Sequence, residues 1–191
     1  MTARLDLVAH GVTAATREAR FPDDDALETP SAGIVEALRI RMRSYRRVVT
    51  APARAARETA AVLGLQADVE AALRDCDCGR WRGHAAADVA AREPRAFAAW
   101  LGDPAAAPHD GESLAALIER VGAWLRESLS REGATLAVTH AAVVRAAVVN
   151  ALGAPAPAFW RIDVAPFTLA RFSGHEGRWN LVALQPSGSM A

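Results

Sequence analysis

Two short apolar runs, Leu5-Asp6-Leu7-Val8-Ala9 and Thr135-Leu136-Ala137-Val138-Thr139, each stop on a histidine and give way to a helical pattern. Nearly continuous apolar runs of this length read as strands buried on both faces. Such strands belong to a mostly parallel sheet, which needs helical crossovers between them. The rest of the chain supplies them. Residues 33–39 have helical spacing, and Arg47-Val48-Val49-Thr50 reads as a further short strand. Pro52 suits the first turn of a helix running to Leu63-Gly64, with Thr50 or Ala51 near its cap. Helices are expected at 84–92, 94–101, 113–129 and 142–152, the third with Leu114, Leu117, Val121 and Leu125 along one stripe. The tail differs. Residues 159–164, 168–172 and 179–184 read as strands, the last two joined by Ser173-Gly174-His175-Glu176-Gly177 as an antiparallel hairpin. The expected fold is α/β: a three-layer α/β/α sandwich with a mostly parallel central sheet and a C-terminal antiparallel hairpin. At 191 residues it is expected to form one domain over 1–191.

Charge narrows the function classes. Twenty-two basic residues balance 22 acidic ones, so bulk electrostatics does not point to nucleic acid. All the basic residues are arginine, which excludes a Schiff-base lysine and a P-loop lysine. No apolar run approaches about 18 residues, and the start, Met1 to Asp6, lacks the apolar stretch of a signal peptide. A cytoplasmic protein that meets no membrane is expected. Cys76 and Cys78 stand in a C-x-C spacing too tight for an ordinary disulfide and without a second ligand pair for zinc, so they read as reduced thiols. No metal and no cofactor is expected. Arg39, Arg41, Arg43, Arg46 and Arg47 read as cations complementing a helix C-terminus, with an anion-binding patch as the alternative. Asp23-Asp24-Asp25 reads as a solvated loop.

The histidines carry the chemistry. In open α/β sheets the carboxyl ends of parallel strands open onto the ligand crevice. If both strands are central, His10 and His140 face each other across it, and Gly11 admits close backbone approach to the first. Two imidazoles together suit nucleophilic attack and charge stabilisation. Asp75 is a candidate acid for a leaving group. His84 and His109 are lesser candidates for the crevice, and His175 sits in the hairpin turn.

These residues resemble the histidine phosphatase superfamily, the group that includes phosphoglycerate mutases and many small phosphomonoesterases. Its opening Arg-His-Gly-x-Thr corresponds to Ala9-His10-Gly11-Val12-Thr13. Its Ser-Ser-Pro-Leu-x-Arg-Ala-x-Gln-Thr-Ala segment is similar to Thr50-Ala51-Pro52-Ala53-Arg54-Ala55-Ala56-Arg57-Glu58-Thr59-Ala60. Leu73-Arg74-Asp75-Cys76-Asp77-Cys78-Gly79-Arg80-Trp81-Arg82-Gly83 resembles its Leu-x-Glu-x-x-x-Gly-x-Trp-x-Gly loop, and Asp110-Gly111-Glu112-Ser113-Leu114 with Arg120 its Gly-Glu-Ser loop and following helix. Val138-Thr139-His140-Ala141-Ala142-Val143-Val144-Arg145-Ala146 resembles Val-Ser-His-Gly-Gly-Val-Ile-Arg-Ala.

The resemblance implies a phosphomonoester hydrolase acting through a phosphohistidine on His10, with His140 stabilising charge and Asp75 protonating the leaving oxygen. It implies ligand contacts at Gly11, Thr13 and Ser113 and a small phosphorylated or anionic partner. The chain also departs from the family. The two arginines of the phosphate pocket fall at Ala9 and Ala55, and the catalytic Glu becomes Asp75. Each charge-assisted phosphate contact is worth roughly 1.5–3 kcal/mol, so losing two costs on the order of 10²–10⁴ in binding or turnover. Arg17, Arg54 and Arg57, with Arg20, are the candidate substitutes. The expected activity is weak toward generic phosphate esters. The alternative is a catalytically impaired ligand-binding pseudo-phosphatase, favoured if no arginine reaches His10.

Overall fold

A computed structural model describes residues 3–186; Met1 and Thr2, on which part of the expectation about the chain's start rests, lie outside them. Six strands form one sheet: β1 (Arg4–Ala9), β2 (Arg47–Thr50), β3 (Asp68–Val69), β4 (Ala134–Thr139), β5 (Leu169–His175) and β6 (Arg178–Gln185), in the order β3-β2-β4-β1-β5-β6. The first four are parallel, β5 runs antiparallel to β1, and β6 antiparallel to β5. Every residue of β1 and β4 after the first is buried, on alternating sides, so both sheet faces are covered. That is why these runs are mostly apolar rather than alternating, with Asp6 the one buried charge among them.

The helices are α1 (Ala14–Arg17), α2 (Ala32–Arg41), α3 (Arg54–Val62), α4 (Ala86–Arg92), α5 (Pro94–Gly102), α6 (Leu114–Leu129) and α7 (Ala141–Leu152). Local chemistry sets several ends. Thr13 and Thr16 form a reciprocal capping box on α1, Ser113 caps α6, and Gly153 ends α7 in the left-handed conformation. The α6 stripe Leu114, Leu117, Val121 and Leu125 is buried as its spacing predicts. None of the helices among the described residues is long and apolar enough to cross a membrane.

Three expectations are corrected. Residues 159–164 do not form a strand; Ala156–Arg161 is a 3-10 helix, because Pro155 and Pro157 cannot donate to a sheet ladder. Helix α3 begins at Arg54, and neither Thr50 nor Ala51 caps it. Asp24 does so from across the chain: the Arg54 N–H donates to its Oδ1 at 2.7 Å. The Asp23–Asp25 loop is therefore not merely solvated. The short β3, both of whose residues are exposed, had no apolar signal to announce it.

The basic run is neither a free anion patch nor only a helix end. Arg43 pairs with Asp6 at 3.2 Å, Arg47 with Glu70 at 2.9 Å, and Arg39 donates to the Val62 and Leu63 carbonyls. A second, smaller apolar cluster lies beside the main core. Phe21, Cys78, Trp81 and Val89 are buried there, with Phe97 and Trp100 packed against them.

Candidate active site

The β1–β4 register pairs Ala9 with Thr139, so the next residue of each strand, His10 and His140, leaves the sheet side by side. The His10 N–H donates to the Thr139 carbonyl at 2.7 Å, and the two ring centroids stand 5.1 Å apart at 76°. His10 Nδ1 lies 2.8 Å from the Gly11 carbonyl oxygen. A carbonyl only accepts, so Nδ1 carries the proton and Nε2 keeps its lone pair. Burial, and then the neighbouring His140, lower the His10 pKa, which keeps this ring neutral.

His140 is the N-terminal boundary residue of α7, and no side chain caps that helix. Its side chain is only 5% exposed, with Nδ1 3.3 Å from Asp75 Oδ2. Neither ring nitrogen makes a well-aligned hydrogen bond with the described residues. Burial pushes the Asp75 carboxyl up, but His140, His10 and the Cys76 N–H together hold it below its usual range. Asp75 is thus a carboxylate at neutral pH.

The Asp75 loop is held from three sides. Thr139, next to His140, donates its hydroxyl to the Leu73 carbonyl at 2.9 Å. Arg120 donates to the carbonyls of Ala72, Arg74 and Asp75 while pairing with Glu112 at 2.6 Å. The 77–79 and 109–111 segments pack backbone to backbone; a Cβ on Gly111 would fall 2.0 Å from the Asp77 oxygen. Replacing Arg120 by Met leaves three carbonyls without its guanidinium and Glu112 with Arg74 alone. We expect about 2–3 kcal/mol of lost stability and a lower kcat well below the melting temperature, checked by thermal unfolding and steady-state kinetics.

The cleft has two lobes that share His10, Thr13, Pro22, Asp75 and Cys76. One, of about 270 Å³, is lined by His140, Ala55, the carboxylates of Asp23, Asp24, Asp25 and Asp77, and by Arg74 and Arg82, which pair with Glu112 at 3.2 Å and Asp77 at 2.7 Å. The other, of about 290 Å³, is walled by Phe21, Trp100, Leu114, Leu117, Phe159 and Trp160, with Arg20 and Arg145.

Several sequence candidates stand elsewhere. Arg17 is 61% exposed and pairs with Glu28 at 2.9 Å, and Arg54 pairs with Glu58 at 2.7 Å. Arg57 lines a separate depression beside Thr50 and Gly64. None of the three lines the cleft, because each has a closer carboxylate or a different helix face. Ser113 spends its hydroxyl on the α6 cap, accepting from the Ala116 N–H. Gly11 donates to Thr59 Oγ1 at 3.0 Å, and a Cβ there would meet Phe167 at 2.4 Å. Arg20 reaches the apolar lobe but is held by Glu18 and Asp25. His109 is buried against Trp81, while His84 and His175 are exposed.

Arg145 was not among the candidates. It is half-buried, donates from Nε to the Ile162 carbonyl at 2.8 Å, and has no carboxylate within 4.0 Å among the described residues. Burial lowers its pKa, only partly offset by Asp163 and Asp75. The sequence signal is a lone charge inside the otherwise apolar run 141–149.

A family model described as the histidine phosphatase superfamily (branch 1) matches residues 5–186. The chain belongs to that superfamily. A bifunctional protein of Mycobacterium tuberculosis (strain ATCC 25618 / H37Rv) is 29% identical over 182 residues, covering 88% of this chain and 50% of the relative. The chain thus spans about half the length of the curated relatives it matches. Mycobacterial glucosyl-3-phosphoglycerate phosphatase, in a structure with VO3, is 27% identical with a TM-score of 0.81, over 93% of this chain and 96% of that one. A phosphoglycerate mutase from Thermus thermophilus is 26% identical with a TM-score of 0.75, over 96% and 98%. The histidine phosphatase match spans both strand-terminal histidines, the Asp75 loop and Arg145.

Proposed function

We propose that the chain is a metal-independent phosphomonoester hydrolase that works through a phosphohistidine on His10. The observation that carries this is the His10 ring: its Nδ1–H is engaged by Gly11, which leaves the Nε2 lone pair as nucleophile beside a buried His140. Nε2 attacks phosphorus and the ester oxygen leaves. Its proton comes through Asp75, a carboxylate in the free enzyme, which takes the acidic P–O–H proton of the bound ester monoanion and passes it to the departing oxygen. Water then attacks the phosphohistidine, gives its proton back to Asp75, and inorganic phosphate departs. His140 and the uncapped N-terminus of α7 stabilise the equatorial oxygens.

Ala55 leaves the cleft without the family's second arginine. Arg145 is the cation best placed to serve instead, since no carboxylate competes for its guanidinium. Arg145→Met is expected to raise KM for a phosphate ester about 10–100-fold, the value of one charge-assisted contact, as steady-state kinetics would show. The carboxylates around Ala55 favour a second reading, a pseudo-phosphatase that binds a small ligand without turnover.

Rapid quench with a ³²P-labelled aryl phosphate separates the two. The hydrolase reading expects an acid-labile, base-stable phosphoryl group on His10. Binding of the ester without any such adduct favours the pseudo-phosphatase.

A further inference from the structure

The apolar lobe asks for a particular leaving group. Its rings come from three separate segments: Phe21 after α1, Trp100 on α5, and Phe159 with Trp160 on the 3-10 helix. Trp100 and Trp160 meet edge to face at 4.8 Å, Phe21 touches Trp100 at 5.5 Å, and Phe159 backs Trp160 at 5.0 Å. Both tryptophans are only partly buried by the protein itself, and both line the cleft. A cavity of about 150 Å³ takes a benzene ring; at about 290 Å³ this lobe has room for two fused rings. It shares with the other lobe the nucleophile His10 and the acid Asp75. A phosphoryl group on His10 therefore directs its ester oxygen, and the alcohol beyond it, to one lobe or the other. The first presents four carboxylates together with Arg74 and Arg82, a charged lining that offers nothing to a flat apolar body. The second presents aromatic faces that gain from covering a flat apolar body.

Resting on the hydrolase reading, we infer that the substrate is a phosphate monoester whose alcohol carries a flat aromatic body of about two fused rings, held between Trp100, Trp160, Phe21 and Phe159. The test uses the intact chain with 2-naphthyl phosphate and glycerol phosphate as substrates, and 2-naphthyl phosphonate and methyl phosphonate as ligands that cannot be hydrolysed. The expected kcat/KM ratio of naphthyl to glycerol ester is about 100, and Trp160→Ala lowers that ratio about tenfold while Trp160→Phe largely keeps it. Calorimetry should find the naphthyl phosphonate bound at least tenfold more tightly than the methyl compound. Turnover with no naphthyl preference overturns the inference and leaves the hydrolase reading standing. Preferential phosphonate binding with no turnover does the reverse. Should Trp160→Ala fail to fold, the phosphonate pair on the unaltered protein still decides, since neither compound has a leaving group, and equal affinities for the two overturn the inference.

Discussion

His10→Ala is expected to abolish hydrolysis of an aryl phosphate, lowering kcat by about 10⁴-fold or more, the scale on which a lost nucleophile acts. The change removes a partly buried ring whose packing partner is His140, so the variant should remain folded. Equal rates in the two proteins would place the chemistry outside this cleft. The same assay carries a pH prediction. With the His10 pKa held below 6.5 by burial and by His140, the nucleophile stays unprotonated into mildly acidic solution. The acidic limb of kcat/KM should therefore fall below pH 6.5, not at it. Stability follows with the same sign. A group whose folded pKa is depressed stabilises the native state above its unfolded pKa and loses that contribution as pH falls through the folded value. His10 acts so below pH 6.5, and Asp75 does so below its ordinary value of 3.8.

Asp6→Ala should produce the largest loss of stability. Asp6 is 1% exposed in the central strand, accepts from the Tyr45 hydroxyl at 2.7 Å, and faces Arg43 at 3.2 Å and Arg171 at 3.5 Å. Burial, together with Asp6, also holds the Tyr45 phenol well above its ordinary pKa. Removing the carboxylate strands two guanidinium groups and a hydroxyl. Breaking a buried pair costs about 3–5 kcal/mol; the partial exposure of both arginines reduces this to about 2–4 kcal/mol. In a chain of this size that is a fall of roughly 4–16 °C in Tm. A Tm within a degree of the parent would mean that the network contributes nothing net.

The central sheet is legible in the sequence because β1 and β4 are buried on both faces, which demands mostly apolar runs, broken in β1 only by the paired Asp6. Their shared ending on histidine is legible for the same reason: the strand stops where the crevice begins. The 156–161 segment misleads because Phe159, Trp160 and Ile162 are strand-prone, while the prolines that forbid a ladder precede them. The arginines that flank the motifs mislead differently. Nearness along the chain says nothing about which carboxylate will claim a guanidinium, and Glu28 and Glu58 claim Arg17 and Arg54. Arg145 is hard to recognise because its significance is a missing partner, a property of three-dimensional surroundings. The acidic loop is hidden for a related reason, since its role depends on a helix start 30 residues away.

That cap also ties access to folding. The Asp24 carboxylate closes α3 at Arg54 and simultaneously lines the mouth above His10. Swinging this loop outward to admit a bulky ester unties the first turn of the helix that carries Ala55, at a cost of about 1 kcal/mol for a lost cap. Loop position and helix start are thus coupled through one hydrogen bond. Hydrogen exchange at the Arg54 amide should report how often that bond opens.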